Sequence, residues 1–290
     1  MSNLIYINGK LFLEEDAKIS IFDYGFLYGD ALFETMRSYG EKIFRLDSHI
    51  ERLFNSLKIL KIESPLSKKK LKEAIYMTLK ANKLSDAYIR VTISRGKGEA
   101  GIKPYSCKKP TLIILTKKYN PISNKRKKEG YTAIILNQRK NSKSIASELK
   151  SANFIENILA KIAVKESGAD EGFFFNEENF LAEGITSNIF ILNKERIITP
   201  DLKCGILPGI TRGVVIELAK DMNFFVEETK IKENTLFQAD EIFITNSLLE
   251  VMPVVMLNSI PIGDGKPGKI TQKIQKAYKE LVKKETKSLY

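Results

Sequence analysis

Lys150, in the run Glu-Leu-Lys150-Ser-Ala-Asn, precedes two other stretches with chemical potential: Ala-Glu183-Gly-Ile-Thr-Ser-Asn188 and Gly205-Ile-Leu-Pro-Gly-Ile-Thr-Arg212. A lysine amine that has lost its proton attacks an aldehyde, and desolvation favours that loss. A carboxylate between apolar runs serves either as a turn cap or as a buried counter-ion. A Gly- and Pro-marked turn that opens a helix offers backbone N–H groups and the helix dipole to an anion, and Thr211 adds a hydroxyl. Each stretch also has a plainer reading: a surface lysine, a capping residue, an ordinary capped helix. Together and in this order they suit pyridoxal 5′-phosphate (PLP), which needs an imine partner, a counter-ion for its ring nitrogen and a polar phosphate cup. Arg52, in His49-Ile-Glu-Arg52-Leu, is either a surface charge or a guanidinium that meets phosphate two bonds at a time. The glycine-bearing loop Ser94-Arg-Gly-Lys-Gly98 is explained by a hairpin without any ligand.

Composition narrows the alternatives. His49 is the only histidine in 290 residues, which argues against a His-based triad or a multi-His metal site. Lysine, a carboxylate or tyrosine must then carry any proton. Cys107 and Cys204 lie far apart and form neither a metal knuckle nor a disulfide framework, as expected of a reducing cytoplasm. The net charge of +12 raises nucleic-acid binding as a rival, but the lysines are dispersed and no aromatic-and-basic interleaving is present. The densest basic run, Lys125-Arg-Lys-Lys128, is expected in a solvated loop. No apolar stretch suits a membrane span, and the N-terminus lacks the form of a signal peptide.

These residues need elements to position them. Two apolar runs about Asn8-Gly9 predict a hairpin. Asp47 is expected to cap a helix bearing Ile50, Leu53, Phe54, Leu57 and Leu60, and Ser67 one bearing Leu71, Ile75 and Leu79. Ala87 to Arg95 is expected as a strand with Tyr88, Arg90 and Thr92 on one face, and Thr111 to Thr116 as another. Strands are expected at Tyr131–Gln138, Glu171–Phe175, Asn188–Leu192, Ile197–Thr199 and Ile242–Thr245. Helices are expected over about Asn153–Glu166, from Thr211 to about Met222, and from about Ile270. The helix after Lys150 is expected to hold the lysine loop rigid, and Glu183 is expected in a turn. The polar, basic stretch from Lys117 to Gly130 is the best domain boundary. This order favours α+β or α/β layers.

As a set, the residues resemble those of the fold-type IV PLP enzymes, the family of branched-chain aminotransferases, D-amino-acid aminotransferases and aminodeoxychorismate lyases. The resemblance runs from Tyr6-Ile-Asn-Gly9 to Gly263-Asp-Gly265. It takes in Phe22-Asp-Tyr-Gly-Phe-Leu-Tyr-Gly-Asp30, Phe33-Glu-Thr-Met-Arg37, His49-Ile-Glu-Arg-Leu53, Lys150-Ser-Ala-Asn153, Glu183-Gly-Ile-Thr-Ser-Asn188, Gly209-Ile-Thr-Arg212 and Ile244-Thr-Asn-Ser-Leu-Leu-Glu250. It implies a two-domain, D-amino-acid aminotransferase-like α/β fold: a small domain over 1–118, a loop over 119–130 and a larger PLP-binding domain over 131–290. It further implies PLP between the domains and a homodimer. Lys150 then matches the Schiff-base lysine, Arg52 and Thr211 the phosphate ligands, and Glu183 the partner of the pyridine nitrogen. Ile210 matches a backbone N–H that meets the phosphate, with Leu207 and Ser247 at the cofactor as well.

For the substrate, Tyr88-Ile-Arg90 matches the Tyr-x-Arg of branched-chain aminotransferases, in which the arginine serves the side-chain carboxylate of glutamate. Tyr28 and Phe33 match apolar walls, and Leu248 falls in a substrate-facing turn. Phe154 stands where those enzymes usually place a tyrosine. Thr245-Asn246-Ser247-Leu248 replaces their Gly-Thr-Ala turn and looks more like that of some aminodeoxychorismate lyases. The carboxylate trap of the D-amino-acid enzymes, an arginine near a histidine, is not reproduced. The expected activity is transamination between an aliphatic, branched-chain-type amino acid and a 2-oxo acid such as 2-oxoglutarate, by a ping-pong course. A lyase releasing pyruvate and 4-aminobenzoate is the first alternative and a D-amino-acid aminotransferase the second. Neither a metal, a nucleic acid nor a membrane is expected as a partner.

Overall fold

The computed structural model describes residues 3–287; residues 1–2 and 288–290, at the outer ends of the two expected domains, lie outside the described residues. The described chain divides into two compact units. One comprises the residues up to Asn120, Leu149–Asn153 and the chain from Lys284; the other comprises Pro121–Glu148 and Phe154–Lys283.

In the first unit, β1 (Leu4–Ile7) and β2 (Lys10–Leu13) form the hairpin expected about Asn8-Gly9. Both turn residues take positive φ, 48° and 97°, as a two-residue hairpin turn demands. Then come α1 (Tyr24–Tyr28), β3 (Ala31–Tyr39), β4 (Lys42–Ile43), α2 (Leu46–Ile59), α3 (Lys68–Ala81), β5 (Ala87–Ser94) and β6 (Thr111–Lys118). Among the described residues they build a six-stranded antiparallel sheet in the order β2-β1-β6-β5-β3-β4. On β5, Ile89, Val91 and Ile93 are buried, while Tyr88, Arg90 and Thr92 stay partly open, the alternation expected of them. The buried stripes of α2 (Ile50, Leu53, Leu57) and α3 (Leu71, Ile75, Leu79) join that inner face in one core. The Ser67 hydroxyl accepts from the Lys70 N–H and caps α3 as expected. Asp47 does not cap α2. Arg45 holds the cap position at φ 52°, and Asp47 lies within the first turn, where its charge still favours the positive end of the helix dipole.

The second unit runs through α4 (Asn124–Glu129), β7 (Tyr131–Lys140), α5 (Ile145–Glu148), α6 (Ile155–Glu166), β8 (Glu171–Asn176), β9 (Leu181–Gly184), β10 (Asn188–Asn193) and β11 (Arg196–Pro200). It continues with α7 (Ile210–Asp221), β12 (Phe225–Thr229), α8 (Glu233–Phe237), β13 (Glu241–Asn246), β14 (Glu250–Leu257), β15 (Ile260–Pro261) and most of α9 (Lys269–Thr286). The mixed sheet has the order β12-β11-β10-β13-β14-β7-β8-β9, with β15 beside β14. Phe173, Phe175, Ile189, Ile191, Ile242 and Ile244 fill one core, and Leu136, Ala160, Val164 and Phe174 belong to another. Two expectations are corrected. Lys125–Lys128 forms most of α4, capped by Ser123, not a loop. Glu183 lies in β9, a strand only four residues long, not in a turn.

Candidate active site

In the first unit the site is built on β3. Successive side chains leave a strand on opposite faces. Leu32, Glu34 and Met36 therefore share the inner face and are buried, while Phe33 faces the other way. Glu34 lies under α2. Its Oε1 accepts from Arg52 Nε and its Oε2 from an Arg52 Nη, each at 2.7 Å, and His49 Nδ1 lies 2.7 Å from the same Oε2. Burial alone would push the Glu34 carboxyl up; the Arg52 charge and the His49 hydrogen bond outweigh it and hold the group at about 2. Burial pushes His49 down despite its acidic neighbour, so the ring is neutral at pH 7. Arg52 is thus part of a buried ionic cluster and not a loose surface charge.

Lys150 belongs to the same unit. The Phe33 N–H donates to the Lys150 carbonyl at 2.9 Å, and the Ala152 N–H donates to the Ala31 carbonyl at 2.8 Å. Leu32 and Ser151 face each other in an antiparallel bridge. The segment therefore extends the sheet along the near end of β3, while β4 covers its far end. This corrects the expectation that the following helix fixes the lysine: α6 starts at Ile155 and lies in the other unit, and β3 is what holds the segment. Asn153 braces it further by donating to the Gly29 carbonyl at 3.3 Å. Gly29 is required there, since φ is +66° and a Cβ would meet Asn153 Oδ1 at 2.6 Å. Lys150 Nζ sits 4.7 Å from the Phe33 ring centroid, and the Arg90 guanidinium carbon sits 3.7 Å from it. Tyr88, on the same strand face as Arg90, is half-buried; Tyr28, at the end of α1, is exposed.

In the second unit Glu183 is buried and held on both oxygens. Lys140, the last residue of β7, pairs with Oε1, and the Leu207 N–H donates to Oε2 at 3.0 Å. The Asn188 amide donates to the Leu207 carbonyl at 2.9 Å. A Cβ on Gly209 would collide with Asn188 Oδ1, so a larger residue there would displace the Asn188 side chain. Helix α7 then begins at Ile210 without a side-chain cap, and Thr211 in its first turn is buried. Its first N–H groups and its dipole suit an anion. The segment after Glu183 is braced by Glu171, which accepts from the Ile185 N–H at 3.1 Å and the Ser187 hydroxyl at 3.0 Å. Burial pushes this carboxyl up. Asn246 donates to the Thr186 carbonyl at 3.1 Å and accepts from the Leu248 and Leu249 N–H groups. Ser247 and Leu248 therefore lie in a turn tied to the Glu183 segment. Phe154 occupies the cap position of α6, its carbonyl accepting from the Ile158 N–H.

Sequence reading misses Glu34, Lys140, Glu171, Asn188 and Asn246 as partners. Glu34 had a signal, a charge alternating with Leu32 and Met36 on an apolar strand face. Lys140 had none, because it reaches Glu183 across 43 residues. The donors suit PLP on chemical grounds: an amine over an aromatic face, a buried carboxylate paired with a lysine, and an uncapped helix start beside a buried hydroxyl. Among the described residues no group of three or more His, Cys, Asp and Glu could hold a metal ion, and no helix is long and apolar enough to cross a membrane.

Comparison with known proteins agrees. Residues 31–257 match the family model of amino-transferase class IV. A protein of Methanocaldococcus jannaschii described as a putative branched-chain-amino-acid aminotransferase is 38% identical over 278 residues, 96% of each chain. The aminodeoxychorismate lyase of Bacillus subtilis is 38% identical over 282 residues, covering 97% of this chain and 95% of that protein. A branched-chain amino acid aminotransferase of T.th., solved in complex with N-(5′-phosphopyridoxyl)-L-glutamate, superposes with a TM-score of 0.91 at 30% identity. That match covers 100% of this chain and 97% of the other.

Proposed function

The chain belongs to the class IV aminotransferases, PLP-dependent transaminases, and from that premise we propose that it moves the amino group of a branched-chain or similar aliphatic amino acid to a 2-oxo acid such as 2-oxoglutarate. Bound PLP supplies an aldehyde that takes up the amino group and an electron-poor ring beside it. Lys150 would hold that aldehyde carbon, and its Nζ would carry the proton of the substrate α-carbon over to that same aldehyde carbon. Glu183 would accept the ring N–H. Its oxygens already bind Lys140 and Leu207, but an ionised carboxylate has about four lone-pair sites. Leu207 would thus serve the cofactor through Glu183, while Arg52, Thr211, Ser247 and the Ile210 N–H would hold the phosphate. Tyr28 and Phe33 would wall the side-chain pocket, with Phe154 and Leu248 also at the substrate, while Tyr88 would meet the α-carboxylate and Arg90 would receive the second carboxylate of glutamate. One observation carries this reading: Lys150 Nζ and the Arg90 guanidinium share the Phe33 ring, so an amine for chemistry and a cation for a carboxylate meet one apolar surface.

A homodimer is part of the proposal. Ile21, Phe26, Ile102 and Tyr105 of the first unit are 67%, 68%, 86% and 88% exposed, and α6 exposes Ile155 and Ile158. Such apolar exposure suits burial against a second copy. The two free cysteines suit a reducing cytoplasm.

A second reading, the lyase that releases pyruvate and 4-aminobenzoate, is favoured by the Asn246–Leu248 turn and by the likeness to the Bacillus subtilis enzyme. The test is a substrate panel. Leucine or valine is expected to convert 2-oxoglutarate to glutamate, and Lys150→Ala to abolish both that turnover and the borohydride-trapped cofactor adduct. Release of 4-aminobenzoate from aminodeoxychorismate without amino transfer would establish the lyase, and preference for D-leucine or D-alanine would establish the D-amino-acid aminotransferase.

A further inference from the structure

Glu34 poses a problem that the proposed reaction leaves open. It is ionised, 1% exposed, and shares its strand face with the fully buried Leu32 and Met36. Taking such charges out of water is costly, and apolar groups of similar volume usually serve stability as well or better. Stability is therefore a poor reason for a carboxylate here. What the carboxylate does is fix a guanidinium. A guanidinium is planar, with five N–H donors in a rigid fork. Two of them, on Nε and one Nη, meet the two Glu34 oxygens at 2.7 Å, which sets both the position and the plane of the group. His49 closes the arrangement. Since its ring is neutral, the nitrogen 2.7 Å from Glu34 Oε2 must carry the proton and donate. Glu34 thus cannot rotate without losing three bonds.

The cluster also stands near the chemistry. The Arg52 side chain keeps 12% of its surface exposed, and the Lys150 charge is among those acting on His49. Glu34 and His49 both lie on the core side of β3, on the opposite face from Phe33.

We propose that Glu34 and His49 are positioning residues that preset the Arg52 guanidinium for the 5′-phosphate of PLP, touching neither cofactor nor substrate themselves. The only histidine of the chain is, on this account, a neutral brace and not an acid or base. The inference rests on the reading of Arg52 as a phosphate ligand. It assigns the cluster a single task, the discrimination between phosphorylated and unphosphorylated vitamers.

The test compares the affinity of cofactor-stripped protein for PLP and for pyridoxal, which lacks the phosphate, by absorbance titration. Glu34→Gln is expected to weaken PLP binding about 10- to 100-fold, the range of a lost charged hydrogen bond, and to leave pyridoxal binding within about twofold. His49→Gln keeps the Glu34–Arg52 fork and is expected to lower the PLP-to-pyridoxal preference by about threefold; it serves if Glu34→Gln does not fold. In an Arg52→Lys background, Glu34→Gln is expected to add little, because the fork it braces is gone. Equal losses for both vitamers, or full additivity with Arg52→Lys, would overturn the proposal. Failure of the parent reading looks different: Arg52→Lys itself would leave the preference unchanged, and the inference would fall with it.

Discussion

Two buried carboxylates, one in each unit, are treated in opposite ways. Glu34 faces Arg52 and His49 and is held at about 2, whereas Glu171 faces the N–H groups of Gly172 and Ile185 and the Ser187 hydroxyl and is pushed up. Burial acts in the same direction on both. Three neutral donors do not offset it at Glu171, but the Arg52 guanidinium together with the His49 hydrogen bond does at Glu34, because the guanidinium opposes charge with charge. Glu183 has one charged partner, Lys140, and one neutral partner, the Leu207 N–H. Where the chain needs a group fixed and ionised, it supplies a cation; where it only shapes a turn, backbone and hydroxyl donors suffice.

Three experiments test this gradation, in decreasing order of expected effect. Glu34 has a depressed folded-state pKa, so its stabilisation is fully present above the unfolded value of about 4.3 and is lost as pH falls toward 2; the span amounts to about 3 kcal/mol. Denaturant unfolding across that window should show a steep acid limb, flattened in Glu34→Gln. His49, disfavoured in its charged form, adds a loss of its own as pH falls through about 6.5. An acid limb unchanged in Glu34→Gln would break the comparison. Next, Lys140→Met should cost about 2 kcal/mol, the usual worth of a charged hydrogen bond, and Lys140→Arg should restore most of it. A loss as small as that expected at Glu171 would mean that the Leu207 N–H alone secures Glu183. Last, Glu171→Gln should change stability at pH 7 by less than about 1 kcal/mol, since the neutral amide removes the burial penalty while giving up one acceptor. Here the sign reverses: with a raised pKa, wild type gains on Glu171→Gln as pH falls through the folded value toward about 4.3.

Local features were legible where one residue type has one structural use. Asn8-Gly9 could only be a hairpin turn, Ser67 caps α3, and the alternation along β5 sorts Ile89, Val91 and Ile93 from Tyr88, Arg90 and Thr92. The Lys150, Glu183 and Thr211 stretches point to an amine, a counter-ion and an anion-binding helix start only as a set and in order, since each alone also fits a plainer reading. Elements that contradict local preference were hidden. Strand β9 ends in Glu183-Gly184, a pair that looks like a turn, and β14 carries Pro253 although it lies between β13 and β7. Helix α4 is so rich in lysine that it resembles a loop. The bracing residues were hidden for another reason: Lys140, Asn188 and Asn246 reach partners 43, 19 and 60 residues away, and register between distant strands leaves no local trace.

The segment Leu149–Asn153 bears on how the protein is made. It is flanked in the chain by residues of the second unit, yet it completes the edge of a strand in the first. A nascent chain extended only to Asn120 holds every strand of that first sheet but presents Ala31–Phe33 with raw amide and carbonyl groups, open to wrong pairings. The patch that seals this edge arrives on the ribosome some thirty residues later, and it is the same patch that carries Lys150. Fragments of the first unit that lack it should be both inert and prone to stick to one another.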